Sequence, residues 1–232
     1  VGVTSYCPTL ITNSPAAITE GLRSVADACR RDPDARKGIA GIHLEGPFLS
    51  RENGPRGAHE RRWIRKPDLA LLRRWIDASE GLLRILTLAP EWPGSPRFIE
   101  RCTAMGVSVS IGHTAATPEQ IADAVKAGAT LSTHLGNGAH PLMARHPNPL
   151  WTQLAEDRLT ACFIADGHHL PQSFLKVALR SKAGRSILVS DAVYLAGMSA
   201  GRYRTHIGGD VVLTRSGRLH LASDPRLLAG SA

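Results

Sequence analysis

Apolar residues along this chain fall in short runs, and the stretches between them alternate polar and apolar positions with helical spacing. The runs that read as strands cover residues 3–8, 39–45, 83–89, 107–112, 129–133, 160–165 and 187–190. Continuous apolar runs of this length suit parallel strands covered on both faces. Helical segments lie between them. Ser14 followed by Pro15 is a cap with proline at the first helical position, and it opens a helix reaching about residue 31. Thr117-Pro118-Glu119 repeats that signal, with Gly128 as a stop. Residues 67–79, 96–105 and 171–183 are further helices.

Strand–helix alternation of this regularity predicts a parallel α/β architecture. Seven strands suit a (β/α)8 TIM barrel lacking its first strand, so that the observed runs are barrel strands two to eight. A doubly wound open sheet is the alternative, although no GxGxxG turn is present. After Asp191 the pattern changes. Residues 203–207, 210–214 and 218–222 read as short alternating strands joined by Gly-Gly and Ser-Gly turns. The expected organisation is a barrel domain over 1–200, a β excursion or part of a small β domain over 201–223, and the start of a return to the barrel over 224–232. The chain opens on Val1 and stops at residue 232 without a targeting segment or polar tail, and is expected to be a fragment of a longer protein.

Composition narrows the classes. The chain has 232 residues, 43% hydrophobic and 21% charged, as in an ordinary globular domain. No apolar run has the length of a membrane span. The net charge of +8 is carried by arginines scattered along helices (Arg23, Arg30, Arg73, Arg84, Arg101), and aromatics make up only 5%, so no nucleic-acid platform is expected. Cys7, Cys29, Cys102 and Cys162 form no CxxC pair, which argues against a zinc knuckle and for a reducing, cytoplasmic setting.

In a TIM barrel the chemistry sits at the C-terminal strand ends. Five strand exits here carry functional groups: Glu45, His113, His134, the Asp166-Gly-His168-His169 segment and Asp191. A lone histidine or aspartate at such a place is usually structural, but five pointing into one mouth make coincidence a poor explanation. Glu45, His113 and His134 supply one oxygen and two nitrogens, a known catalytic set for a divalent ion with an open position. Such an ion acidifies a water and polarises a carbonyl, and Asp191 is then available as general base. His140, His146, His206 and His220 read as loop or surface residues.

These residues lie in segments that resemble the N-acetylglucosamine-6-phosphate deacetylase family of the amidohydrolase superfamily. The matching stretches are GVTSYCPTLIT (2–12), HLEGPFLS (43–50), GAH (57–59), IGHTAAT (111–117), STHLGN (132–137), IADGHHL (164–170), LVSDA (188–192) and LAGSA (228–232), in the family's order. The resemblance implies that Glu45, His113 and His134 bind the catalytic metal, a divalent ion and first of all Zn2+, while a second metal cannot be judged without the first strand. It implies Asp191 as acid/base and His59 as the group polarising the acetamide carbonyl. Ala58, His59, Asn137, Gly138, Leu228, Ala229 and Gly230 would contact substrate, and Arg145 and His169 would bind the sugar phosphate. His168 beside His169 leaves open which ring faces inward, and Arg145 reads equally well as a solvated loop cation. The implied partner is a small amino-sugar phosphate, and family members often form homodimers.

The family's usual THLFNAM is here Thr133-His-Leu-Gly-Asn-Gly-Ala-His140, and Gly136 and Gly138 are expected to reshape the substrate side of the pocket. Competing readings keep the machinery on an N-acetylgalactosamine phosphate, an unphosphorylated sugar or a cyclic amide, or make the chain a non-catalytic binding protein. The excised chain, lacking the first strand, is expected to be inactive; acetate release by it in a coupled assay would overturn this.

Overall fold

The computed structural model describes residues 3–205 and 209–232. His206 and the end of the strand expected over 203–207 lie outside the described residues. A seven-stranded parallel sheet forms the body. Its strands are β1 (Thr9–Ile11), β2 (Ile42–Glu45), β3 (Leu83–Leu88), β4 (Ser108–Ile111), β5 (Ala129–Ser132), β6 (Thr160–Ile164) and β7 (Ser186–Val189). Every strand pairs with the next in sequence, in the order β1 to β7. A doubly wound sheet would reverse that order at a switch point, so this alternative is excluded. The sheet is curled into a half-barrel with its helices on the outside.

The helices start where the caps place them. Ser14 accepts from the Ala17 amide and opens α1 (Pro15–Arg31), which buries Ile18, Leu22, Ala26 and Cys29 along one face. Asp32 ends α1 and caps a short α2 (Pro33–Gly38) that the hydrophobic pattern does not announce. Then follow α3 (Leu69–Ala78) and α4 (Ser95–Ala104). α5 (Pro118–Lys126) begins with a reciprocal capping box between Thr117 and Gln120. α6 (Pro149–Ala155), capped by Asn148, is also new, and α7 (Gln172–Ser181) closes the series. No helix among the described residues is long and apolar enough to cross a membrane.

Two differences from the sequence reading have physical causes. The first strand was expected over 3–8, yet the ladder forms at Thr9–Ile11, with Tyr6 making only an isolated bridge to Ile39. Pro8 has no N–H to give to a ladder. The last strand was expected to be covered on both faces, yet Ile187 and Leu188, which point to opposite faces, are both exposed, because among the described residues no helix or sheet packs over either face of β7, the edge strand.

The main core joins α1, α3, α4 and α5 to β2 through β4, around Trp75 and Phe48. Beyond β7 the chain builds a small antiparallel sheet, β8 (Gly201–Thr205), β9 (Gly209–Leu213) and β10 (Leu219–Leu221), in the order β10-β9-β8. Leu195, Val211, Leu213, Leu219, Leu221 and Ala229 form its own core. The last residues return to the half-barrel, where Ser231 bridges to Ala192 beside the exit of β7.

All four cysteines are free thiols. Burial pushes Cys102 up to about 12 and Cys162 up to about 11, while Cys7 is exposed. Iodoacetamide treatment of the native protein at mildly alkaline pH is therefore expected to label Cys7 first and to leave Cys102 unmodified until denaturant is added. Mass spectrometry showing equal labelling of Cys102 in the native state would contradict the fold.

Candidate functional site

Glu45 is the last residue of β2 and is followed by a Gly46–Pro47 turn. His113, His134 and Asp191 each lie two residues past the end of their strands, β4, β5 and β7. All three have left-handed backbone, with φ of 51°, 27° and 48°. L-residues rarely adopt such angles, and each costs on the order of 1–3 kcal/mol. The turn swings each side chain from the strand line into the mouth of the half-barrel. His59 arrives from the long segment between β2 and α3 and is buried.

These residues converge on one carboxylate oxygen. Glu45 Oε1 is 3.1 Å from His113 Nε2, 3.2 Å from His59 Nε2 and 3.7 Å from His134 Nε2. His113 Nε2 is in turn 3.2 Å from His59 Nε2 and 3.1 Å from His134 Nε2. Glu45, His59 and His113 each offer one ligand atom, all within 4.8 Å of one another, and His134 touches two of the three.

The donor chemistry fits a cation. His113 Nδ1 donates to the Pro55 carbonyl at 2.8 Å. With the ring's proton fixed there, the neutral ring presents a lone pair at Nε2 to the Glu45 oxygen, itself only an acceptor. Two acceptors at that distance, both buried, call for a positive charge between them, and an outer carbonyl on Nδ1 is the usual way a metal-binding imidazole is oriented. Nδ1 of His59 and of His134 has no hydrogen-bond partner among the described residues. His113 therefore carries the clearest ligand signature.

The electrostatics agree. Burial acts to raise Glu45, but the imidazoles facing it, above all the protonated His134, outweigh it and hold the carboxyl well below its usual range. Burial, then the charge on His59, lowers His113 to about 4. For His134 burial acts downward, yet the Glu45 carboxylate prevails and raises it to about 9. Asp191 is raised, mainly by burial, with His134 opposing.

Below the cluster the interior carries a chain of polar groups. Ser110 and Thr87 hydroxyls each lie 2.6 Å from the Thr133 hydroxyl, and Thr87 lies 2.7 Å from His43 Nε2. Burial lowers His43, so its ring is neutral and can accept there. Sequence reading passed over these residues, since hydroxyls inside strands resemble ordinary β-formers. Glu91 was likewise missed. It binds the Thr114 hydroxyl at 2.5 Å and the Ala115 amide at 3.1 Å, pinning the loop that carries His113.

Other expected site residues are dispersed. Gly138, with φ of 57°, lies against the His113 ring, and an added Cβ would stand 2.8 Å from Nδ1. Gly136 instead packs against Leu170 and Phe174, so of the two only Gly138 faces the cluster. Asn137 folds back on the His134 carbonyl. Ala58 packs against the core of the small sheet. Leu228 bridges His220, and the Ala229 amide is taken by Leu219. Gly230 has φ of 88° beside Val193. Arg145 is exposed. His140, read as an ordinary loop residue, joins Glu52 at 2.8 Å. The ambiguity at 168–169 is resolved: His168 reaches out to the Ser216 carbonyl, whereas the His169 side chain is only 7% exposed and pairs with Asp166.

Fold and cluster together define a parallel α/β half-barrel with a histidine–carboxylate cluster at its strand exits that could hold a metal ion. By sequence the chain resembles the N-acetylglucosamine-6-phosphate deacetylases over nearly its whole length. It is 36% identical over 233 residues to N-acetylglucosamine-6-phosphate deacetylase of Bacillus subtilis (strain 168), covering 99% of this chain and 57% of that protein. It is 35% identical over 224 residues to N-acetylgalactosamine-6-phosphate deacetylase of Escherichia coli O157:H7, covering 94% of this chain and 58% of the relative. The structure superposes with a TM-score of 0.88, at 33% identity, on a mutant N-acetyl-D-glucosamine-6-phosphate deacetylase from Mycobacterium smegmatis in complex with N-acetyl-D-glucosamine-6-phosphate, covering 98% of this chain and 57% of that one. The chain thus spans a little over half the length of the proteins it matches. No family model matches it.

A divalent ion bound here must displace the proton that Glu45 keeps on His134. His134 holds that proton up to about 9, so metal affinity is expected to rise by about tenfold per pH unit near neutrality and to level off above that value. Zn2+ titration by calorimetry in buffers of different ionisation enthalpy should register about one proton released per ion. An affinity flat with pH in this range would remove His134 from the ligand set.

Proposed function

We propose that the protein containing this chain hydrolyses the acetamide of N-acetylglucosamine 6-phosphate, giving glucosamine 6-phosphate and acetate. The observation that supports this most is the meeting of Glu45 with His113 and His134, beside Asp191 at the exit of β7, in a chain similar over nearly its whole length to deacetylases of such sugars. Glu45, His113 and His134 would hold the ion, which when bound supplies Lewis acidity to a carbonyl and to a water. Asp191 takes the proton of the attacking water and returns it to the departing nitrogen. Burial, which raises Asp191, makes it a better base than an ordinary surface carboxylate. His59 lies 3.2 Å from the same Glu45 oxygen and is placed to polarise the acetamide carbonyl.

In this reading the half-barrel is part of a closed (β/α)8 barrel. β1 and β7 are the outer strands of the sheet and offer open edges to a further strand, and the exposed Ile187 and Leu188 suit burial on the two faces of a closed barrel. Four free thiols fit a reducing, cytoplasmic setting. N-acetylgalactosamine 6-phosphate is the second candidate, because a similar relative bears that name.

Acetate release by the full-length, Zn2+-loaded protein is expected with N-acetylglucosamine 6-phosphate, with much lower kcat/KM for the unphosphorylated sugar. Asp191→Asn should lower kcat by roughly 10²–10⁴-fold while leaving bound metal in place. Turnover of the neutral sugar alone would sink the sugar-phosphate reading, and preference for the galactosamine epimer would select the second candidate.

A further inference from the structure

The Asp166 carboxylate sits at a junction that the hydrolytic reading does not use. Its Oδ1 accepts the backbone amides of His168 and His169 at 2.8 and 2.9 Å. Such an arrangement is a common turn device, in which a short carboxylate closes its own loop. Oδ2 is the informative atom. It lies 2.7 Å from His169 Nδ1 and 3.0 Å from the Ser231 hydroxyl. A turn-closing residue would need Oδ1 alone.

A carboxylate oxygen only accepts, so the His169 proton must sit on Nδ1. The ring is held in one plane and one tautomer, with Nε2 left for another partner; none binds it among the described residues. Burial pushes the Asp166 carboxyl up, but bonds from the His169 and His168 amides and the His169 ring outweigh it and keep the group ionised. Ser231 extends the junction to the other side of the site: its amide donates to the Asp191 carbonyl at 3.0 Å and its carbonyl accepts from Val193 at 2.9 Å. One carboxylate therefore fixes a ring on the β6 exit and, through Ser231, the backbone of the proton-carrying residue on the β7 exit.

We infer that Asp166 is a positioning residue that holds His169 with its proton on Nδ1, so that Nε2 is presented to the anionic group of the substrate, and that Ser231 ties this clamp to Asp191. The inference rests on the sugar-phosphate reading for what Nε2 meets. A carboxylate at Nδ1 lets the ring carry a second proton on Nε2 when a phosphate faces it, giving a charge-assisted bond on both sides. In D166N the two backbone amides keep the amide oxygen, so its N–H2 faces Nδ1 and donates to it. The ring proton is then driven off Nδ1, and the doubly protonated ring is disfavoured.

The test uses full-length, Zn2+-loaded protein. Imidazole 15N spectra of the unmodified protein are expected to show His169 protonated on Nδ1, and those of D166N to show Nδ1 bare. D166N should raise KM for N-acetylglucosamine 6-phosphate by roughly ten- to a hundredfold, with kcat changed by less than about threefold, and should leave KM for the unphosphorylated sugar and the metal content unchanged. S231A, which keeps the His169 bond, should retain the Nδ1 proton and give a smaller KM effect. A bare Nδ1 in the unmodified protein overturns the inference even if D166N fails to fold. So does a D166N protein that loses kcat equally on both sugars with KM unmoved. If the unmodified protein hydrolyses neither acetamido sugar phosphate, the deacetylase reading falls, and the ring spectra still decide the Asp166 assignment.

Discussion

Everything functional in this structure is organised around one carboxylate oxygen facing three imidazole nitrogens in a buried place. Removing the charge of Glu45 from water costs several kcal/mol unless positive charge or hydrogen bonds compensate it. The compensation comes from parts of the chain far apart in sequence: a loop supplies His59, and the exit of a separate strand supplies the protonated His134. The Pro55 carbonyl settles the tautomer of His113 and thereby turns a pair of acceptors toward each other. Such an arrangement favours a cation at its centre, and the protonated His134 supplies one within the cluster itself, so the same residues could hold a metal ion in place of that proton.

The scaffold makes that meeting possible through backbone geometry. In-register parallel pairing brings Ile11, Glu45 and Thr87 to one level across β1, β2 and β3, and Leu88 beside Ile111 where β3 meets β4. Left-handed turns then throw His113, His134 and Asp191 inward. Three of the four non-glycine residues with positive φ among the described residues are these three, so backbone strain is concentrated where the side chains must converge. The hydroxyl chain from Ser110 through Thr133 and Thr87 to His43 fills the level below with satisfied polar groups. The absence of a Cβ at Gly138 leaves the His113 ring its place.

The small antiparallel sheet has its own apolar core, yet it is fastened to the site at several points. His168 binds the Ser216 carbonyl, Ala58 packs against the sheet's core, and Ser231 reaches both Asp166 and Asp191. Through Ser231 the sheet is thus tied to the exits of β6 and β7, where His169 and Asp191 stand.

Much of this was legible in the sequence. The caps at Ser14 and Thr117 fixed two helix starts because a cap is a local interaction between residues three apart. The alternation of apolar runs and helices determined a parallel α/β fold, and the strand-exit positions of Glu45, His113, His134 and Asp191 followed from it. The short helices α2 and α6 were not legible, since each is too short for its periodicity to stand out. Nor did the sequence decide which of His168 and His169 turns inward, that Gly136 serves packing while Gly138 serves the cluster, or that His59 approaches the Glu45 oxygen as closely as the other rings. Those facts depend on contacts between segments tens of residues apart, and on which tautomer a neighbouring carbonyl or carboxylate selects. Local sequence carries the residue types and their order along the chain, while the distances between them exist only once the sheet has curled.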